Sequence, residues 1–212
     1  HCGGVPTAIV DVVNPTTGEI WMDRNLGASQ AATSSTDVQA YGDLYQWGRA
    51  ADGHQCRNSG TTSTNSSNDM PGHSDFILEP NTPYDWRASQ NDNLWQGVDG
   101  VNNPCPSSYR IPTEAELEAE RLSWTGGNNN SGAYNSPLKL PAAGSRDFTN
   151  GSIYNLGANG RYWSSTVSSG RIRYLVFYSG GASVLSNNRA NGFLIRCIKE
   201  NVSTPSPSIA AV

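Results

Sequence analysis

Three observations predict an α+β fold with two helices, a twisted and mostly antiparallel sheet, long loops and disulfides. A capping-box signature opens a helix at Thr113, β-prone segments separated by Gly, Ser and Asn fill the C-terminal half, and four cysteines lie far apart along the chain. The first is the most specific. Residues 103–117, Asn-Pro-Cys-Pro-Ser-Ser-Tyr-Arg-Ile-Pro-Thr-Glu-Ala-Glu-Leu, compress a cysteine, three prolines and a helix start into fifteen residues. Thr113 and Glu116 have the spacing in which hydroxyl and carboxylate each satisfy an orphan backbone N–H. Pro112 holds the chain extended up to that cap and disfavours the α region for Ile111.

The remaining elements follow in chain order. Residues 5–28 read as a hairpin, with Ala8, Val10 and Val12 on one face of its first strand, Glu19-Ile20-Trp21-Met22 in its second, and Asn14-Pro15-Thr16-Thr17-Gly18 as the turn. Thr36 or Asp37 then caps a helix in which Tyr41, Leu44, Tyr45 and Gly48 fall at i, i+3, i+4 and i+7. Residues 51–104 form a long Gly/Ser/Asn/Asp/Pro insertion, of a length usually functional or disordered. Trp86 and Trp95 argue that it is ordered, since two indoles are poorly left in water. The second helix runs from Thr113 to about Trp124, because Glu, Ala and Leu are strong helix formers. After a turn at 126–132, Pro137–Pro141 fits a short edge strand. Tyr162–Val167, Ile172–Tyr178 and Phe193–Ile198 read as three successive strands, the last placing Phe193, Ile195 and Cys197 on one face. The expected organisation is a single domain over 1–200 and a Pro/Ser-rich tail over 201–212.

Composition excludes several classes. Only 15% of the 212 residues are charged, and a mean hydropathy of -0.52 therefore comes from Asn, Ser, Thr and Gly. With a net charge of -4, and Lys139 and Lys199 alone against twelve arginines, there is no basic field for nucleic acid or anionic lipid. No apolar run approaches the ~18 residues needed to span a bilayer. The chain begins at His1, as a processed or trimmed form would. Cys2, Cys56, Cys105 and Cys197 lack C-x-x-C spacing, which favours disulfides over zinc. Of three possible pairings, Cys105 with Cys197 and Cys2 with Cys56 is favoured, each closing a plausible structural unit. Disulfides place the protein in an oxidising compartment, secreted or on the cell surface.

The sequence resembles the bacterial Fibrobacter succinogenes major paralogous domain family. The resemblance is carried by Gly18–Gly27 (GEIWMDRNLG), Tyr41–Arg49 (YGDLYQWGR), residues 103–117, Leu140–Arg146 (LPAAGSR), Tyr162–Thr166 (YWSST) and Ile195–Lys199 (IRCIK), in the family's order. It implies a C-type-lectin-like fold, related to the formylglycine-generating branch, but it implies little about a ligand.

Candidate sites divide by chemistry. Glu79-Pro80-Asn81 matches the tripeptide that binds Ca²⁺ and sugar in calcium-dependent lectins, with Asn91-Asp92 as a second half. It precedes the second helix instead of following it, so a turn is the expected state. Oxygens at 91–93 and 99 suit a structural Ca²⁺, but EF-hand spacing is absent and a solvated loop is expected. The close cysteine pair of the formylglycine-generating branch is missing, as is G-x-S-x-G, and nothing points to a catalytic role for His1, His54 or His73. No catalytic, metal or cofactor set is assigned. Trp86 and Trp95, on the insertion, are candidates for contacts outside the domain. Asn187, Asn188, Arg189 and Asn191 are candidates because some relatives of this fold diversify that region for ligand binding. Asn65, Asn129, Asn150 and Asn201 begin N-x-[ST] sequons.

The expected function is a non-enzymatic, exported bacterial surface protein, a structural subunit of an extracellular fibre whose partners are copies of itself. The segment around Ala8, Val10 and Val12, or the apolar tail end from Ile209 to Val212, would add to a neighbour's sheet edge. The alternative is a surface adhesin or lectin-like module whose loops at 51–104 and 168–192 bind a glycan or protein.

Overall fold

The computed structural model describes Cys2, Gly4 and residues 6–201. The tail beyond 201, with Ile209 and Val212, lies outside the described residues. The fold is α+β, mostly sheet, with two α-helices and two disulfides. In chain order the first strands are β1 (Asp11–Val13), β2 (Ile20–Met22), β3 (Tyr45–Gln46), β4 (Thr61–Thr62), β5 (Phe76–Ile77) and β6 (Tyr109–Arg110). Helices α1 (Glu114–Leu122) and α2 (Asn130–Asn135) follow. The remaining strands are β7 (Ala143–Arg146), β8 (Ile153–Leu156), β9 (Gly160–Ser168), β10 (Arg171–Tyr178), β11 (Gly181–Asn187), β12 (Gly192–Phe193) and β13 (Ile198–Lys199). They build a four-stranded sheet in the order β1-β2-β13-β6, a seven-stranded sheet in the order β11-β10-β9-β7-β12-β3 with β8 paired to β7, and a separate parallel pair, β4 with β5.

The centre of the large sheet is buried on both faces. On β10, Ile172, Tyr174 and Val176 join one apolar cluster with Trp47, Trp86, Trp95, Trp163 and Phe193. Leu175 and Phe177, pointing the other way, join Leu117 of α1, Ala133 of α2, Tyr162 and Leu194. Strand alternation thus sends each residue set to its own layer. The helices cover one face, and the insertion covers the other.

The capping box forms as expected. Thr113 Oγ1 accepts from the Glu116 backbone N–H, and Glu116 Oε2 accepts from the Thr113 N–H at 2.7 Å. The 5–28 hairpin forms too, with β1 antiparallel to β2, although its first strand is shorter than expected. Cys2 is joined to Cys56 and Cys105 to Cys197, the latter tying the stretch before α1 to the chain entering β13.

Several expectations are corrected. The helix over 36–48 does not form. Asp37 does cap, accepting from Gln39 N–H, but only one 3₁₀ turn follows, Val38–Ala40. Gly42 then takes φ +70°, where a Cβ would lie 2.4 Å from the Leu26 carbonyl oxygen. Beyond it the backbone donors bond far along the chain, Leu44 to Gln55 and Trp47 to Arg189. Tyr41, Leu44 and Tyr45 are buried nonetheless, through a loop and a strand. Pro137–Pro141 is not a strand; it follows α2, a six-residue helix that the Gly/Asn composition concealed and that Asn129 caps through Ser131 and Gly132. β11 was also not foreseen. The segment 193–198 splits, β12 pairing with β3 and β13 with β2 and β6, so that it crosses from one sheet to the other.

Candidate functional site

The insertion is a wall of the core. Trp86 is 1% exposed and its Nε1 donates to the Trp47 carbonyl at 2.7 Å, while Trp95 is 0% exposed and donates to Asn102. Their expected role in contacts outside the domain is therefore overturned: each indole has an internal partner and an apolar bed, which removes the reason to leave it at the surface. Arg189 and Asn191 are likewise buried. The Arg189 guanidinium lies 4.9 Å from the Trp47 ring centroid, donates to the Asn91 carbonyl at 3.1 Å and pairs with Asp92 and Asp85. Asn191 bonds to Asn187 across the turn. Of the four candidates near the last strands, only Asn187 and Asn188 retain appreciable exposure.

The two loop regions expected to share a ligand do meet. Ala190 N–H donates to the Tyr84 carbonyl, and Gln90 Nε2 to the Gly170 carbonyl. Thr82, Tyr84, Gln90, Gly170, Arg171 and Asn188 line a groove of about 310 Å³ between them. Tyr84 at φ +59° and Ser169 at φ +50° hold its rim in the left-handed region, a conformation that side chains seldom adopt without tertiary support.

Glu79-Pro80-Asn81 is closed on itself: Glu79 Oε1 accepts from Asn81 N–H at 2.8 Å and Oε2 from Asn65 Nδ2 at 2.6 Å. Asn91 and Asp92 bond instead to Asp69 and Arg189. Among the described residues no three His, Cys, Asp or Glu side chains converge as a metal set, and no helix is long and apolar enough to cross a membrane. His54, fully buried, has both ring nitrogens engaged, Nδ1 with Asp52 at 2.6 Å and Nε2 accepting from Gln46 N–H. Of the sequon asparagines, Asn129 is the cap of α2 and Asn65 is tied to Glu79, whereas Asn150 is exposed.

The assembly candidates lie on an open edge. β1 pairs only with β2 among the described residues, and residues 6–10 before it belong to no strand. Val12 is partly buried against the core, whereas Ala8 and Val10 are exposed. Ile9, Val10 and Val13 are 56%, 46% and 52% exposed.

A second apolar feature had no signal in the sequence. Val38, Tyr41, Asp43, Arg57, Ile153 and Leu156 line a groove of about 460 Å³ beside β8. Gly27 on its wall has φ +83°, and a Cβ there would fall 2.2 Å from the Asp43 carboxyl carbon. Burial pushes the Asp43 carboxyl up to about 6, against a hydrogen bond from the Cys2 backbone and the weaker pull of Arg57, and pushes Arg57 down to about 10. The Arg57 guanidinium lies 5.5 Å from the Tyr41 ring centroid and donates to the Gly42 and Ala143 carbonyls. Its charge is thus spent within the wall, leaving the apolar side chains to define the groove.

Comparisons with protein-family models, with curated proteins and with solved structures find no match.

Proposed function

We propose that this chain is a non-enzymatic, exported bacterial surface protein, a C-type-lectin-like domain of the Fibrobacter succinogenes major paralogous type, acting as a structural subunit of an extracellular fibre. The observation that carries this reading is the β1 edge. Val13 of β1 and, just before the strand, Ile9 and Val10 stand in solvent, and among the described residues β1 has a partner on one side only. Soluble proteins usually blunt such edges with lysine, proline or a bulge, because an open apolar edge templates pairing with another chain. An added strand from a second copy would cover the apolar side chains here. The two disulfides suit an oxidising, extracytoplasmic location.

Negative-stain microscopy and sedimentation of the full chain test the reading. Filaments or concentration-dependent oligomers are expected, and Val10→Lys should suppress them without unfolding the domain. A monodisperse protein at high concentration would sink it.

One observation favours a second reading, a surface adhesin binding a glycan or protein. The groove between Tyr84 and Asn188 combines an aromatic ring with amide and guanidinium groups, a composition suited to polar, ring-shaped ligands. A glycan array probed with and without EDTA tests it; absence of binding in both conditions, with Tyr84→Ala indistinguishable from the parent, would remove it.

A further inference from the structure

We infer that the apolar groove beside β8 is the receptor for the Ile209–Val212 end of a second copy of this chain, so that subunits join head to tail. This rests on the fibre reading and adds a second joint to the one at the β1 edge.

The groove is built to take an extended apolar segment. Its rim carries Val38 and Leu156, 75% and 51% exposed, and its walls are Tyr41 and Ile153. β8 pairs with β7 alone among the described residues, so its outer side offers main-chain donors and acceptors to an added strand. Strand addition of this kind draws affinity from the main chain and specificity from pockets for alternate side chains.

The occupant is indicated by the chain itself. Residues 202–212, Val-Ser-Thr-Pro-Ser-Pro-Ser-Ile-Ala-Ala-Val, carry no charge, and place a four-residue apolar run after a spacer of Thr, Ser and Pro. Uncharged side chains suit a groove whose Arg57 guanidinium already donates to the Gly42 and Ala143 carbonyls.

Position argues for a second copy over the chain's own tail. Leu26 N–H donates to the Ile195 carbonyl, Met22 N–H to Cys197, and Asn201 Nδ2 to Glu19. Residues 195–201 therefore run antiparallel to 19–26, and the chain leaves at the Glu19 end. The groove, lined by Gly27, lies past the opposite end, roughly 20 Å away at strand rise. Seven spacer residues reach at most about 25 Å when fully extended, and would first have to reverse direction to fill their own groove. Receptor and donor at opposite ends make a heterologous contact, which propagates as an open filament unless the rotation closes a ring.

Two full-length variants test this, one carrying Leu156→Cys and the other Ile209→Cys, mixed under mild oxidation and mapped by non-reducing peptide analysis. Leu156 is half exposed, so its replacement should leave the fold intact. A 156–209 disulfide between the two chains is expected, and Leu156→Glu should raise the concentration needed for assembly by about tenfold or more, equivalent to at least ~1.4 kcal/mol. Filaments without that linkage would overturn the groove assignment and leave the fibre reading standing. Linkage only within a doubly substituted chain at high dilution would overturn it in favour of self-docking. If the intact chain does not assemble, the fibre reading falls and the joint with it.

Discussion

The indole N–H of Trp86 is bonded to the backbone carbonyl of Trp47 at 2.7 Å. With the Gln46 side chain bonded to both the N–H and the carbonyl of Ile77, this contact joins the long insertion to β3 and the chain just after it, and makes the 51–104 segment part of the scaffold instead of an appendage. Trp86→Ala should therefore cost about 3–5 kcal/mol, as for large aromatic deletions in cores. Urea unfolding would measure it; a loss below ~1 kcal/mol would mean the insertion folds independently of the sheet.

Arg189 should behave as a structural residue. Its removal takes from Asp85, 2% exposed, its ion-pair partner and strips the Trp47 ring of its guanidinium. Breaking such a buried pair costs about 3–5 kcal/mol, so Arg189→Ala should lower the unfolding midpoint sharply. Asn188→Ala, at the groove rim, should leave it nearly unchanged.

The two disulfides differ in embedding. Cys105–Cys197 closes a separation of 92 residues and Cys2–Cys56 one of 54, for which chain entropy gives about 4.7 and 4.2 kcal/mol. Because Cys197 is fully buried within the core cluster, the double Cys→Ser change at 105 and 197 should be the more destabilising of the two by more than the entropy difference. Thermal unfolding of the two double variants tests the ranking.

Stability should carry a histidine signature. Burial pushes the His54 imidazole down to about 4, against the hydrogen bond its Nδ1 donates to Asp52, whereas an ordinary histidine titrates near 6.5. Between those values the unfolded chain holds a proton that the folded one does not. The neutral His54 contribution is therefore complete above pH ~6.5 and lost as pH falls toward 4. Asp43 and Asp85, each pushed up to about 6 by burial, act in the opposite direction and flatten the parent's curve. The difference between parent and His54→Gln isolates the effect: the variant's deficit should be largest near pH 7 and shrink by pH 4.5. A deficit independent of pH would show that the ring does not titrate as described.

At the start of α1, Thr113→Ala should cost about 1 kcal/mol. Glu116→Ala should cost more, because Glu116 also accepts both Nη groups of Arg110, at 2.8 and 2.6 Å. Equal losses in urea titrations would mean that the Arg110 pair contributes nothing measurable.

How much of this protein was legible in its sequence depended on how locally each feature is determined. The capping box, the first hairpin, β9, β10 and the favoured cysteine pairing were readable, since each rests on nearby residues or on a small number of alternatives. The candidate ligand residues were readable as a region only: the loops meet, but Arg189, Asn191, Trp86 and Trp95 serve the interior. The apolar groove at Tyr41 had no local signal, because its walls come from residues more than a hundred positions apart.

Local chemistry by itself determined an α+β protein, stapled by disulfides and started at Thr113 by reciprocal hydrogen bonds. Tertiary structure alone decided that residues 43–48 are not helical, since Gly42 breaks the turn and distant carbonyls take the backbone donors. It also decided that one continuous β-prone segment, 193–198, serves two sheets. In both cases local propensity contributes tenths of a kcal/mol per residue. Burying aromatic side chains and satisfying backbone N–H groups across the fold contributes several times that, so long-range packing overrides the local preference.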